Sequence, residues 1–345
     1  MTLSSDTRNR EIRLIARPRP AVTEALFQLV EGPVPQPGPG ELLIRVLYLS
    51  LEPAMRGWIS DAPNYREPLP LDETMFGFTV GQVSASNHPD YAAGDLVAGR
   101  QGWCEWAVSD GSDIDRKLTP AGFPVTCHLH LLGLTGVTAY LGLLEVGQPK
   151  AGETVAVSTA AGAVGSTVGQ IAKIKGCKTL GITGSDDKVA ACKTRFGYDA
   201  ALNYKTEADL SAAIGAACPE GIDVYFDNVG GPVSDAVMAH INVGARIVVC
   251  GTMGIAGSDP DSPPQGPRYQ RQILVKRARM EGFLVLDHMD RRGQALQDLE
   301  TWLEAGQLNY LEDITEGLDQ APAALMKLLA GGNQGKAIVQ LGPAP

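Results

Sequence analysis

The chain has 345 residues, too many for one ordinary core, so two domains are expected. With 44% hydrophobic and 20% charged residues it has the composition of a soluble globular protein, and its formal charge of -10 disfavours long-range attraction to nucleic acid or anionic membrane. A local basic pocket for a phosphate stays open. Cys104, Cys127, Cys177, Cys192, Cys218 and Cys250 form no Cys-x-x-Cys pair, which points to free thiols in a reducing, cytoplasmic setting.

The polar start, with Arg8, Arg10, Arg13 and Arg17, lacks the apolar centre of a signal peptide and reads as a short loose tail. Leu42 to Leu51, the best apolar run, is too short to span a bilayer and is broken by Arg45. Strands are predicted at Leu42–Leu49, Phe76–Val83 and Asp95–Val97. The glycine and proline punctuation around them suggests a partly open β-barrel. Near Gly133 the pattern changes to strand–helix alternation. Helices are predicted at Thr138–Leu144, Val164–Lys175, Asp187–Arg195, Leu210–Ala217 and Ser234–Ile241. Strands are predicted at Val155–Val157, Thr179–Thr183, Ala200–Asn203, Ile222–Phe226 and Ala245–Val249. This spacing argues for a doubly wound parallel sheet. An irregular stretch from Thr252 to about Gln272 precedes a strand at Arg279–Val285 and a helix at Gly293–Ala305. The segment from Leu311 to Leu341 is free to close onto the first domain.

The run Ala160-Ala161-Gly162-Ala163-Val164-Gly165 follows a strand and opens a helix, the context that a dinucleotide fingerprint requires. Gly162 lets the backbone approach a pyrophosphate, Gly165 lets the helix pack closely, and the helix N-terminus offers N–H groups to the phosphates. Ala160 replaces the usual first glycine. In NAD-binding sheets a carboxylate commonly ends the second strand and holds the ribose hydroxyls. Here that strand ends Thr183-Gly184-Ser185, with Asp186 and Asp187 slightly later. Lys188, a cation in the first turn of a helix, opposes the dipole. A 2′-phosphate would explain it, and so would a solvated surface lysine. Asp227-Asn228-Val229-Gly230-Gly231 follows an apolar strand, where loops of such sheets line the ligand crevice.

Three stretches together resemble a known family. These are Gly133 to Val155, the glycine fingerprint and Asp227 to Gly231, and the runs Leu49 to Gly57 and Val275 to Val285 fit as well. The chain is similar, from about Arg10 to Leu341, to the zinc-independent medium-chain dehydrogenase/reductases of the prostaglandin/leukotriene reductase branch, with the 2-alkenal and curcumin reductases. The resemblance implies a GroES-like catalytic domain from residues 1–132 and 309–345 and a Rossmann NADP(H)-binding domain from residues 133–308. It implies a homodimer and NADPH-dependent reduction of the C=C bond of α,β-unsaturated aldehydes or ketones. It also assigns Gly162, Ala163, Val164 and Gly165 to the pyrophosphate and Lys188 and Tyr204 to the 2′-phosphate. Asn228, Cys250, Gly251, Phe283, Leu284, Val285 and Asn333 would line the nicotinamide side.

Two departures matter. The family's Asp-Pro-Tyr-Met-Arg-Gly is here Glu52-Pro53-Ala54-Met55-Arg56-Gly57, and its Ser-x-Tyr-Asn after Cys250-Gly251 is replaced, so that Ala256 stands for the tyrosine often assigned to proton delivery. A zinc-ligating Gly-His-Glu stretch is replaced by Gly77-Phe78-Thr79, the five histidines are scattered, and His128-x-His130 reads as a structural pair rather than a metal site. Without a metal, hydride passes to the substrate β-carbon, and a hydrogen-bond donor at the enolate oxygen is worth ~3 kcal/mol. Tyr65, in Pro63-Asn64-Tyr65-Arg66, is the preferred phenol for the α-carbon proton. A tyrosine that only packs, and a cofactor ribose hydroxyl as the proton source, are the competing readings. Competing functions are quinone reduction on the same fold and an NADPH-binding structural or sensory protein with little catalysis.

Overall fold

The computed structural model of the protein describes residues 7–19, 21–119, 122–255 and 264–343. These residues form two compact units. The first holds the described residues up to Leu129, together with 312–333 and those from Ala337 on; the second holds His130–Leu311 and Gln334–Lys336.

The first unit contains β1 (Arg8–Leu14), β2 (Phe27–Pro33), β3 (Leu42–Ser50), the single turn α1 (Met55–Trp58), β4 (Glu73–Thr74), β5 (Thr79–Ser86), β6 (Leu96–Gly99), β7 (Trp106–Ser109) and β8 (Ile114–Leu118). The expectation of a loose N-terminal tail is corrected. β1 pairs along its whole length with β2, antiparallel, because Ile12 and Leu14 alternate with Glu11 and Arg13 and bury completely on one side. The strand expected at Phe76–Val83 runs instead at Thr79–Ser86, and that at Asp95–Val97 at Leu96–Gly99. Phe76 and Phe78 leave the strand to pack against each other edge to face at 5.4 Å. β3 is the centre of the unit, pairing antiparallel with both β5 and β7, and its residues are buried at all but one position.

The second unit opens with α2 (Leu134–Leu141), which carries the first part of the helix expected at Thr138–Leu144 and continues as a π-helical turn over Gly142–Gly147. Glycine at 142 explains the change. A Cβ there would meet the rings of Phe226 and Phe283 at 2.9 and 3.1 Å, so the backbone comes in where a side chain would otherwise stand. There follow β9 (Thr154–Ser158), α3 (Ala163–Ile174), β10 (Lys178–Thr183), α4 (Asp186–Thr194), β11 (Ala200–Asn203), α5 (Leu210–Ala217), β12 (Ile222–Asp227), α6 (Gly231–Met238), β13 (Ile241–Val249), α7 (Gln270–Lys276), β14 (Arg279–Gly282) and α8 (Arg292–Glu304). The sheet is parallel in the order β11-β10-β9-β12-β13-β14, with the chain reversing direction of growth between β9 and β12. This is a doubly wound sheet. The helix expected at Ser234–Ile241 starts and ends earlier, since Pro232 suits a first helical turn and Ile241 already opens β13. The strand expected at Arg279–Val285 stops at Gly282, and a 3₁₀ turn begins at Val285. The irregular stretch expected to reach Gln272 ends at α7, two residues sooner. The chain then runs through β15 (Glu312–Glu316), α9 (Ala321–Leu329) and β16 (Lys336–Gln340), which pairs antiparallel with β3.

Candidate functional site

In the second unit β9 is buried throughout, a short apolar run of the kind that forms the middle of a parallel sheet. After Ser158 the backbone turns sharply. Thr159 has φ 54°, a left-handed conformation uncommon outside glycine, and its carbonyl accepts from the Gly162 N–H at 2.9 Å. The first helical bond of α3 is Ser166 N–H to the Gly162 carbonyl, at 2.9 Å. The N–H groups of Ala163, Val164 and Gly165 therefore sit at the open end of a helix, which favours an anion. Gly165 is obligatory in this turn, because a Cβ would lie 2.3 Å from the Thr159 carbonyl oxygen. Ala160, the odd member of the fingerprint, is fully buried and packs over β10, where Gly181 makes room for it: a Cβ at 181 would be 2.9 Å from that of Ala160.

At the end of β10, Gly184 occupies the place of the ribose-binding carboxylate. The ring of Tyr204 lies against it, 3.1 Å from where a Gly184 Cβ would stand. Ser185 caps α4, its hydroxyl accepting from Lys188 N–H at 3.4 Å, and so fixes where the Lys188 side chain leaves the helix. Lys188 lines a small recess with Ala161, Asp187, Ala191, Leu311, Gln334 and Gly335. The nearby acid Asp186 is engaged elsewhere, accepting from Asn203 Nδ2 at 2.8 Å. Sequence reasoning missed Lys205, whose ammonium stands 5.9 Å from the Tyr204 ring centroid and adds a second cation to this corner. Its signal was adjacency to Tyr204. It also missed Gln334 and Gly335, distant in sequence and joined to the fingerprint by a bridge between Gly162 and Gly335.

The carboxyl ends of β12 and β13 are tied together by Asp227. This buried carboxylate accepts from the Val229 and Gly230 N–H groups, each at 3.0 Å, and from the hydroxyls of Ser158, Tyr225 and Ser234. The Asn228 side chain donates to the Ser158 carbonyl at 2.7 Å, which pins its amide, and the Cys250 and Gly251 N–H groups both bond the Asp227 carbonyl. The Cys250 thiol is pushed up to about 12, first by burial and then by the Asp227 carboxylate, so it stays protonated and is no nucleophile near neutral pH. Phe283 bonds through its N–H to Val249 and stacks on His288 at 5.2 Å; Leu284 follows half-buried and Val285 buried. Thus Gly162 to Gly165, Lys188, Tyr204, Asn228, Cys250, Gly251 and Phe283 to Val285 all follow the carboxyl ends of parallel strands, where ligands of such sheets bind.

Tyr65 and Asn333 belong to the first unit. Asn333 is buried in the glycine-rich turn before β16. Tyr65 is 49% exposed on the loop after α1, and its phenol oxygen accepts from Trp58 Nε1 at 2.7 Å. Arg66 lies over Trp58 and Phe76, 5.1 and 4.7 Å from their ring centroids. Neither Trp58 nor Arg66 was singled out from sequence, since a lone aromatic and a loop arginine carry no spacing signal. Ala256 lies outside the described residues. His128 contacts Arg116, and His130 contacts the Ala163 carbonyl. Among the described residues no three His, Cys, Asp or Glu side chains are grouped to hold a metal ion, and no helix is long and apolar enough to cross a membrane.

Residues 10–116 match a family described as the N-terminal domain of oxidoreductase, and residues 163–301 one described as zinc-binding dehydrogenase. The NADPH-dependent curcumin reductase of Escherichia coli strain K12 is 41% identical over 337 residues, 97% of each chain. The NADP(+)-dependent 2-alkenal reductase of Nicotiana tabacum is 40% identical over 305 residues, 88% of each chain. The crystal structure of CurA in complex with NADPH from Vibrio vulnificus superposes with a TM-score of 0.91 at 43% identity, covering 97% of this chain and 99% of that one. The strand order, the fingerprint turn and identity at this level across both units give one conclusion: this chain belongs to the zinc-independent medium-chain dehydrogenase/reductases, in the branch of the prostaglandin, curcumin and 2-alkenal reductases.

Proposed function

We propose that the protein reduces the C=C bond of α,β-unsaturated aldehydes and ketones with NADPH. The observation that carries this is identity of about two residues in five, spread over nearly the whole chain, to both a curcumin reductase and a 2-alkenal reductase, whose named substrates share a conjugated C=C–C=O group. The residues fit the cofactor. The open end of α3 suits the pyrophosphate, and Lys188 and Tyr204, with Gly184 in place of a carboxylate, suit the 2′-phosphate. Asn228, Cys250, Gly251, Phe283, Leu284, Val285 and Asn333 would flank the nicotinamide. When bound, NADPH supplies a hydride for the β-carbon. Tyr65 then supplies the α-carbon proton, the role that Ala256 is chemically unable to take.

A homodimer and a cytoplasmic location belong to the same proposal. β14 is an edge strand whose four residues are all exposed, with Leu274 and Val275 exposed beside it on α7. A two-fold axis at Met280 would set Arg279 of one copy opposite Glu281 of the other, a self-complementary pairing. All six cysteines are free, which suits a reducing compartment.

The test is a panel of 2-alkenals, aryl enones and quinones with NADPH, followed by product analysis. Saturation of the C=C bond with the carbonyl intact is expected, together with at least tenfold slower turnover of an enone by Tyr65→Phe and unchanged NADPH affinity. Reduction at the carbonyl alone would sink the proposal. Preferential turnover of quinones would favour quinone reduction, and tight NADPH binding without oxidation would favour a non-catalytic role.

A further inference from the structure

We infer that Trp58 is a positioning residue for Tyr65, holding the phenol oxygen so that its proton has only the remaining directions open; this rests on the reading of Tyr65 as proton donor. The indole N–H is a donor and nothing else. At 2.7 Å from the Tyr65 oxygen it must therefore donate, and the phenol must accept. One lone pair of Tyr65 is committed by this bond, and its own hydrogen has to point elsewhere.

The donor is held rigidly. Trp58 is 5% exposed and is gripped by the edges of Phe76 at 5.4 Å and Phe78 at 6.3 Å, while the Arg66 guanidinium covers its face. The loop is closed back on the same turn, because Leu69 N–H bonds the Trp58 carbonyl at 2.8 Å. At the other end, the absence of a side chain on Gly57 lets Asn64 approach: a Cβ would lie 2.4 Å from Asn64 Nδ2. A half-exposed tyrosine on a loop thus accepts from a buried, tightly packed N–H. The charged groups around this loop are Arg66, Arg56 of α1, Arg17, which donates to the Ile59 carbonyl, Glu67 and the Arg19–Asp61 ion pair.

A donor to the phenol oxygen strengthens as charge develops on that oxygen during proton transfer. Its removal has a signature that lost packing does not share. With tyrosine labelled with ¹³C at Cζ, the Tyr65 resonance is identified by its loss in Tyr65→Phe and followed by NMR through alkaline pH. Trp58→Phe keeps an aromatic ring between Phe76 and Phe78 but removes the donor together with part of the indole volume. It should raise the Tyr65 ionisation by about half to one pH unit, the scale of one hydrogen bond. The alkaline limb of kcat for an enone should move by the same amount, with KM for NADPH unchanged. Replacing Trp58 site-specifically by benzothienylalanine, which has the indole shape and no N–H, should give the same shift even where Trp58→Phe does not fold. An unmoved Tyr65 titration in the benzothienylalanine protein overturns the inference. Undiminished turnover in Tyr65→Phe, alongside a shifted titration, overturns the proton-donor reading instead.

Discussion

His130 is a histidine kept neutral by its surroundings. It is fully buried, its Nε2 stands 3.3 Å from the Ala163 carbonyl, and its Nδ1 has no hydrogen-bond partner among the described residues. Its pKa falls from 6.5 to about 3, first through burial and then through the charge of Lys336. A group whose folded pKa is depressed stabilises the fold above its unfolded pKa and loses that contribution as pH falls toward the folded value. Between pH 6.5 and pH 5 the loss from His130 alone is about 2 kcal/mol. His128 acts in the same direction, lowered to about 4 by burial and by Arg116. Urea unfolding at pH 7 and pH 5 should show His130→Gln with a smaller drop than the parent by about this amount; equal drops would mean that His130 titrates normally. In the sequence, His128-x-His130 offered only spacing. Burial, which decides what each imidazole does, depends on residues such as Lys336 more than two hundred positions away.

At the scale of elements, the second unit was the more legible. Its strands are short apolar runs bounded by glycine and helices, a pattern written locally, and the fingerprint turn sits where the sequence placed it. β1 escaped because arginines and glutamate occupy its outward positions, and period two over seven residues is easily taken for a polar tail. The earlier start of the helix at 231–238 and the π-turn after α2 also escaped. The first is set by Pro232 and the second by the rings of Phe226 and Phe283, contacts that no local window contains. The candidate 2′-phosphate corner was half legible: Lys188 and Tyr204 are candidates from sequence and Lys205 lies beside Tyr204 in the chain, whereas Gln334 reaches the recess only through tertiary packing. β14 carries a prediction of its own. If its exposed edge pairs with a second copy, Met280→Pro, which puts a residue without an N–H into the middle of the ladder, should convert the dimer to monomer in sedimentation velocity while circular dichroism stays native. A dimer of undiminished stability would move the interface elsewhere.

For the whole molecule, the formal charge of -10 is set against a local pair of lysines at one corner of the parallel sheet. If NADPH binds there, such a corner can draw in its phosphate despite the net charge, because screening limits distant carboxylates to about a Debye length, ~8 Å at physiological salt. NADPH at one hundred times its Kd should stabilise the fold by about 2.7 kcal/mol, and hence raise the melting temperature by roughly 4 °C. NADH at equal concentration should do far less. Lys188→Ala should weaken NADPH at least about tenfold and leave NADH unchanged, closing the gap between the two in a thermal-shift titration. Equal losses for both cofactors would detach Lys188 from the 2′-phosphate.

The bridge between Gly162 and Gly335 has a consequence for how the protein is made. Gly335 has φ 72°, a Cβ there would sit 2.1 Å from the Leu311 carbonyl, and Lys336 N–H bonds that same carbonyl at 2.8 Å. The fingerprint turn therefore gains its last neighbours only when residues 334–336 have left the ribosome, long after β9 and α3. At about 5–20 residues per second, roughly 10–30 seconds of translation separate the two. A nascent chain stalled before Gly335 would carry the whole parallel sheet with its phosphate turn still open on that side.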